Sequence, residues 1–352
     1  MAIPELLHSL LVAAGPSGHE TAPATAWREG VAAFADEVRG DHVGSSMARV
    51  KGTAGGPTLA VIGHIDEIGV HVTHIEDEGY LRFGDVGGWD PLVLVGQRVS
   101  LTTRGGAIPG VIGRKPIHLI KPDEREKAPK IKDLHIDIGA KDADEAREMV
   151  RIGDVGVIDA APLELPNGRV VSRSLDNRVG CYVAAEAARL VAADGGAPGD
   201  VIALAVAQEE TTFAGARTSA FALAPDLAIV VDVTFSTDQP GVELGPMTKH
   251  PLGSGPVIAR GTTLHPLISD LLADIAQESE FPHTLESLGR ATGTDADAVH
   301  ASRAGIPTGV VSVPLRYMHS PVELVSLADI QVAAELIAAF AKRLEAGMSF
   351  QR

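Results

Sequence analysis

The sequence predicts an α/β fold in which a sheet lies between helical layers and a small β-domain is inserted into it. Three observations carry this. Four short runs rich in Val and Ile stand apart along the chain: "TLAVIGH" (58–64), "VIALAVAQ" (201–208), "LAIVVDV" (227–233) and "TGVVSVP" (308–314). They are too short for helices and nearly continuous rather than alternating, as strands covered on both faces are. Segments with helical spacing lie between or after them, and the stretch from about 71 to 165 has a different, glycine-rich texture.

Taken in order, the N-terminal "MAIPELLHSLLVAAGPSGHE" reads as an amphipathic helix stopped at Gly15-Pro16, with no basic leader or cleavage pattern. The first apolar run follows at 58–64. The 71–165 segment carries β-type runs such as "RVSLTT" and "PGVIG" and a polar loop, "KPDEREKAPKIKD", whose charges are expected to be solvated. The chain returns near "LPNGRVVSRSLD", which places one domain at 1–70 and 166–352 and the insertion at 71–165. Helices are expected over 177–193, 214–223, 264–281 and 326–346, alternating with the remaining three strands.

Composition narrows the function. With 352 residues the chain can bury a substantial core. A net charge of -16 repels a phosphate backbone, and 4% aromatics leaves few stacking platforms for single-stranded nucleic acid. No apolar segment approaches the roughly 18 residues that span a membrane. The single cysteine, Cys181, excludes an internal disulfide or thiolate cluster and reads as a small buried apolar residue. A cytoplasmic enzyme or binding protein is the expected class.

The chemistry collects where the strands end. The first run ends in His64-Ile65-Asp66-Glu67, the second in Glu209-Glu210, the third carries Asp232, and the fourth leads to His319 in "LRYMHS". Asp176, in "SLDNRVG", stands where a helix begins. Ligands of open α/β sheets bind at the carboxyl ends of strands, so these places are expected to converge on one crevice. Singly, each has a plainer role: Asp176 as a helix cap, Asp232 as a turn former. Jointly, imidazoles and carboxylates without thiolates suit zinc, cobalt or manganese. His64 and Asp66 leave the same face of an extended chain, which places Asp66 to accept the second N–H of a metal-bound imidazole. Asp176 is the candidate to bridge two ions, which about 3.5–4 Å apart can clamp a water and polarise a carbonyl. Of the adjacent glutamates, one would ligate metal and the other act as general base.

These motifs ("GHIDEIGV", "SLDNRVG", "AQEETTFAGA", "IVVDV" and "PLRYMHSPVE", in this order and spacing) resemble the M42 family of co-catalytic metallo-aminopeptidases, the glutamyl-aminopeptidase-like and tetrahedral (TET) enzymes. Weaker echoes run through "GPSGHE", "GRKPIHL", "HIDIGAKDADEAREM" and "ATGTDADAVHASRAGIPTGV". The resemblance implies a zinc-peptidase-like central mixed sheet between helical layers, with a β-barrel-like insertion used in dimerisation and assembly. It implies that His64, Asp176 and Asp232 hold one metal and that Asp176, Glu210 and His319 hold the other. Glu209 is then the general base, and Asp66 steadies His64. It further implies peptide substrates with a free N-terminus and a homo-oligomer built from dimers, up to a dodecamer. The sequence departs after the glutamate pair, where Thr211-Thr212-Phe213 stand in place of the family's usual small apolar residue and glycine. Arg316 and Tyr317, beside His319, either contact substrate or orient the histidine loop. Competing readings are a di-metal deacylase or carboxypeptidase on the same scaffold, and a catalytically silent, metal-stabilised shell protein; a metal-free glycosidase would leave both histidines without a task.

Overall fold

The computed structural model describes residues 2–243 and 248–352. In chain order it contains helices α1 (Glu5–Val12) and α2 (Thr21–Val31), then strands β1 (Glu37–Gly40), β2 (Ser46–Val50) and β3 (Leu59–His64). A group of β-strands follows, β4 (Gly69–Ile75), β5 (Leu81–Val86), β6 (Arg98–Thr103), β7 (Gly106–Arg114), β8 (Leu134–Asp137) and β9 (Val155–Ile158), with short helices α3 (Pro91–Leu94) and α4 (Ala143–Met149) between them. After β10 (Leu163–Leu165) and β11 (Arg169–Ser172) come α5 (Leu175–Ala193), β12 (Val201–Val206), α6 (Glu209–Thr212), α7 (Ala214–Leu223) and β13 (Leu227–Phe235). The chain closes with β14 (Val257–Gly261), α8 (Pro266–Glu278), β15 (Thr284–Leu288), α9 (Ala296–Val299), β16 (Thr308–Leu315), β17 (Glu323–Ser326) and α10 (Leu327–Lys342).

The central sheet is mixed, in the order β1-β2-β12-β3-β13-β16-β14-β15. Its middle, β12-β3-β13-β16, is parallel. Those are the four apolar runs, and their alternate residues feed two separate cores. Leu59 and Val61 of β3, with Ile229 and Val231 of β13, pack under α1, α5, α8 and α10. Ala60 and Ile62, with Ala228 and Val230, pack on the opposite face under α7 and α9. A strand buried on both faces needs apolar residues at every position, which is why these runs do not alternate. The expected mixed sheet between helical layers is thus observed.

Strands β4-β5-β8-β7-β6-β9 close into a barrel with its own apolar interior, including Val72, Phe83, Leu101 and Ile136. Beyond it, β10 and β11 form a hairpin that pairs with β17. Cys181 is buried on α5. Among the described residues no helix is long and apolar enough to cross a membrane.

Candidate metal centre

The parallel register sets His64, the last residue of β3, beside Val206, the last of β12. Asp232 lies further along on β13, which pairs with the other side of β3. The carboxyl ends of adjacent strands thereby open one crevice. After β12 the chain turns sharply: Gln208 and Phe213 take left-handed conformations (φ 61° and 55°) on either side of the single helical turn α6. On that turn Glu209 and Glu210 are no longer forced to opposite sides, as they would be in extended chain.

Asp66 organises the turn. Its two carboxylate oxygens accept the backbone N–H groups of Glu209 and Glu210 at 3.0 and 3.1 Å. The His64 ring meets it less closely, with Nδ1 3.3 Å from the Asp66 carbonyl oxygen and 3.5 Å from Oδ1. Asp66 therefore links the end of β3 to the glutamate pair as well as facing His64.

Asp176 stands between the two histidines. Its Oδ1 is 3.1 Å from His64 Nε2, and its Oδ2 is 3.6 Å from His319 Nε2. It sits in the first turn of α5, where φ and ψ are not yet helical and the Asp176–Asn177 peptide is cis. Glu209 Oε2 lies 3.7 Å from His64 Nε2, and Glu210 Oε1 lies 3.5 Å from His319 Nε2. Donor atoms draw together in two overlapping triplets, His64–Asp176–Glu210 and His64–Glu209–Asp232, each within 4.8 Å. All the residues expected at the centre meet there, but in different groupings: Glu209 stands with His64 and Asp232, and His319 flanks the first triplet.

Burial and mutual repulsion shape the charges. Burial pushes Glu209 up to about 10, with Asp232, Asp295 and Glu210 adding to the rise and His64 opposing it. Burial likewise raises Asp232 to about 7 and holds Glu210 well above the carboxylate range, Asp176 contributing to both. Burial disfavours a charged His64 ring, but Glu209, Asp176 and Asp66 outweigh it and raise its pKa. Asp66 shifts the other way: burial is overcome by His64 and the two N–H groups, which favour its ionised form. Imidazoles and crowded carboxylates that raise one another's proton affinity form a donor set whose charge divalent cations neutralise, so these residues fit a two-ion centre.

Three further residues serve the site without having been singled out in the sequence. Glu323 accepts the backbone N–H of His319 and that of Asp176, each at 3.0 Å. Gly88, from the barrel, offers its carbonyl to His319 Nδ1 at 2.7 Å. Asp295 is 1% exposed, and neither of its carboxylate oxygens has a hydrogen-bond partner. As for the loop before His319, Arg316 forks onto Asp238, with Nη2 2.6 Å from Oδ2, so it holds the loop in place. Tyr317 is 44% exposed.

The profile of the M42 glutamyl aminopeptidase family matches residues 44–336. A lysyl aminopeptidase of Pyrococcus furiosus is 36% identical over 314 residues, covering 88% of each chain. Among solved structures, the TET aminopeptidase of a marine-sediment Thaumarchaeota archaeon superposes with a TM-score of 0.91 at 36% identity over 97% of both chains. The TET1 peptidase of Pyrococcus horikoshii, described as assembling into a tetrahedron or a large octahedral shell, gives 0.83 at 31% identity over 97% of this chain and 99% of its own. These matches agree with a site in which one carboxylate stands between two histidines: this chain belongs to the M42 glutamyl aminopeptidase family of hydrolases.

Proposed function

We propose that the protein is a di-metal aminopeptidase that removes residues from the free N-terminus of peptides. The observation that carries this reading is Asp176, which offers one oxygen toward each histidine, with Glu209 beside the pair rather than between them. His64, Asp176 and Asp232 would hold one ion and Asp176, Glu210 and His319 the other, with zinc or cobalt favoured by the donor set and manganese compatible with it. When bound, the ions supply Lewis acidity toward the scissile carbonyl and lower the pKa of water.

Glu209 is the general base in this reading. Its carboxylate takes a proton from the attacking water and returns it to the leaving amine. Asp66 holds the backbone of the base while facing His64, so a single side chain couples the geometry of a ligand to that of the base. Glu323 and Gly88 keep His319 turned toward Glu210. The inserted segment 71–165 is assigned to dimerisation and assembly. The shells formed by the Pyrococcus horikoshii relative support a homo-oligomer of dimers, and a cytoplasmic location suits such an assembly.

The test is Glu209→Gln, assayed on aminoacyl anilides and on N-acetylated counterparts. The variant is expected to keep both ions, by metal analysis, and to lose about 10³-fold or more in kcat. Near-normal turnover in the variant would overturn the role of Glu209. Cleavage by the unaltered protein of blocked substrates alone would make it a deacylase instead.

A further inference from the structure

The carboxylate of Glu209 has, among the described residues, no hydrogen bond of its own; its Oε2 lies 3.7 Å from His64 Nε2. Its aim therefore depends on the backbone of α6, a single helical turn between two left-handed residues that are not glycine. Such residues each cost about 1 kcal/mol or more and persist only when their surroundings hold them. Asp66 holds the turn from the crevice side. What holds it from the other side is the segment 15–20, "GPSGHE".

That segment is itself anchored beside His64. Gly15 N–H donates to Glu67 Oε1 at 3.0 Å, Ser17 N–H to the Glu67 carbonyl at 3.1 Å, and Glu67 N–H to the Gly15 carbonyl at 3.1 Å. The Glu67 carboxylate is clamped by the buried guanidiniums of Arg173 and Arg178. From this footing two side chains reach across to the base turn. Ser17 Oγ lies 2.9 Å from Thr211 Oγ1, and Glu20 Oε1 accepts the N–H of Gln208 at 3.2 Å and that of Gly18 at 2.6 Å. Ser17 is 8% exposed and Glu20 3%, so an apolar residue at 211 would leave the Ser17 hydroxyl buried without this partner.

We propose that Ser17, Glu20 and Thr211 are positioning residues for the general base: a strap that ties the end of β3 to the turn carrying Glu209 and sets the aim of its carboxylate. The proposal rests on the reading of Glu209 as the base. It gives Thr211 a task at the position where the sequence leaves the family pattern. A base displaced by about 1 Å is expected to lose proton transfer far more than substrate binding, because its effect depends on hydrogen-bond reach in the transition state.

The experiment is a double-mutant cycle on the intact protein loaded with zinc or cobalt, comparing Ser17→Ala, Thr211→Val and the pair, with Thr211→Ser and Glu209→Gln as references. Each single variant is expected to lower kcat about tenfold with KM changed less than about twofold, both ions retained. The double variant should lose no more than the worse single one, since the two hydroxyls act only through each other. Thr211→Ser, which keeps the hydroxyl, should restore most of kcat. Full kcat in Ser17→Ala and Thr211→Val, losses that multiply in the double variant, or a Thr211→Ser no better than Thr211→Val would each overturn the strap. If Glu209→Gln is inactive while the strap variants are unimpaired, only this inference fails; if Glu209→Gln is itself active, the reading beneath it fails.

Discussion

The two histidines of the centre are held in opposite ways. His64 ends a central strand, and its side chain is 2% exposed among Asp66, Asp176 and Glu209. His319 sits on the loop after β16 in a left-handed conformation (φ 57°), its side chain 35% exposed. Sheet pairing fixes the first; a barrel carbonyl and one carboxylate, Gly88 and Glu323, fix the second. Charge interactions strengthen as water is removed, so the deep half should bind its ion tightly and release it slowly. In the function proposed above, the half that carries the partly exposed His319 ring is where substrate would approach an ion with a free coordination position.

Deleting each histidine is the strongest test of this contrast. His64→Ala should weaken binding of the tighter ion by about 10³-fold and also lower the Tm in chelator, because removing one member of a buried charged pair costs about 3–5 kcal/mol. His319→Ala should weaken one ion by about 10–100-fold and leave the Tm in chelator within a degree or two, its side chain being partly in solvent already. Metal titration by calorimetry, with thermal unfolding in chelator, reads both. Equal losses for the two variants would break the comparison.

The deep half should also govern how stability in chelator responds to pH. Asp232 is raised from 3.8 to about 7 and Glu209 from 4.5 to about 10. A carboxyl with a raised folded-state pKa binds more protons folded than unfolded, so the folded chain loses stability as pH climbs from about 4 through 7. The raised His64 acts in the same sense above about 6.5, where the unfolded ring begins to lose its proton. Asp66, lowered, opposes them only as pH falls below about 4. Scans in chelator from pH 5 to pH 8 should show a falling Tm, and zinc or cobalt should flatten it. A Tm that rises across this window would mean that the deep carboxylates are not under strain from one another.

Which parts could be read in advance follows the same division between sheet and loop. A strand buried on both faces is a continuous apolar run, and its end is a break in polarity; that made His64, Glu209, Glu210 and Asp232 conspicuous. The outer strands of the sheet gave no such signal. In "EVRG" (37–40) and "TLESL" (284–288) no residue is fully buried, so neither is apolar throughout. Closure of the barrel depends on β5 meeting β8 across an intervening fifty residues or so, and β8 is the four-residue "LHID". Gly88 contributes a carbonyl, which no side chain announces. Glu323 acts on the backbone N–H groups of Asp176 and His319, and although it closes the motif containing His319, its identity alone does not disclose that. Asp295 lies in "TGTDADAV", where Asp297 is the turn former, accepting the N–H groups of Thr292 and Gly293.

Asp295 allows a finer test of the same contrast, with a smaller effect. It lies within electrostatic reach of Asp232, His64 and Asp66, and it raises the proton affinity of Glu209 without a hydrogen bond to it. Burial holds its own carboxyl well above the usual range, with His64 opposing and Asp232 adding. Ions in the deep half would favour its ionised form, and the ionised form would in turn favour the ions, since the coupling between two charges is reciprocal. Asp295→Asn keeps the shape and removes the charge, so it should weaken the tighter ion by about 3–10-fold and leave the weaker one nearly unchanged, as competition with a fluorescent chelator would record. Asp297→Asn, which disturbs the turn instead, should lower the Tm without favouring either ion. If Asp295→Asn weakened both ions equally, the centre would respond to its total charge rather than to depth, and the division into a buried and an open half would not hold.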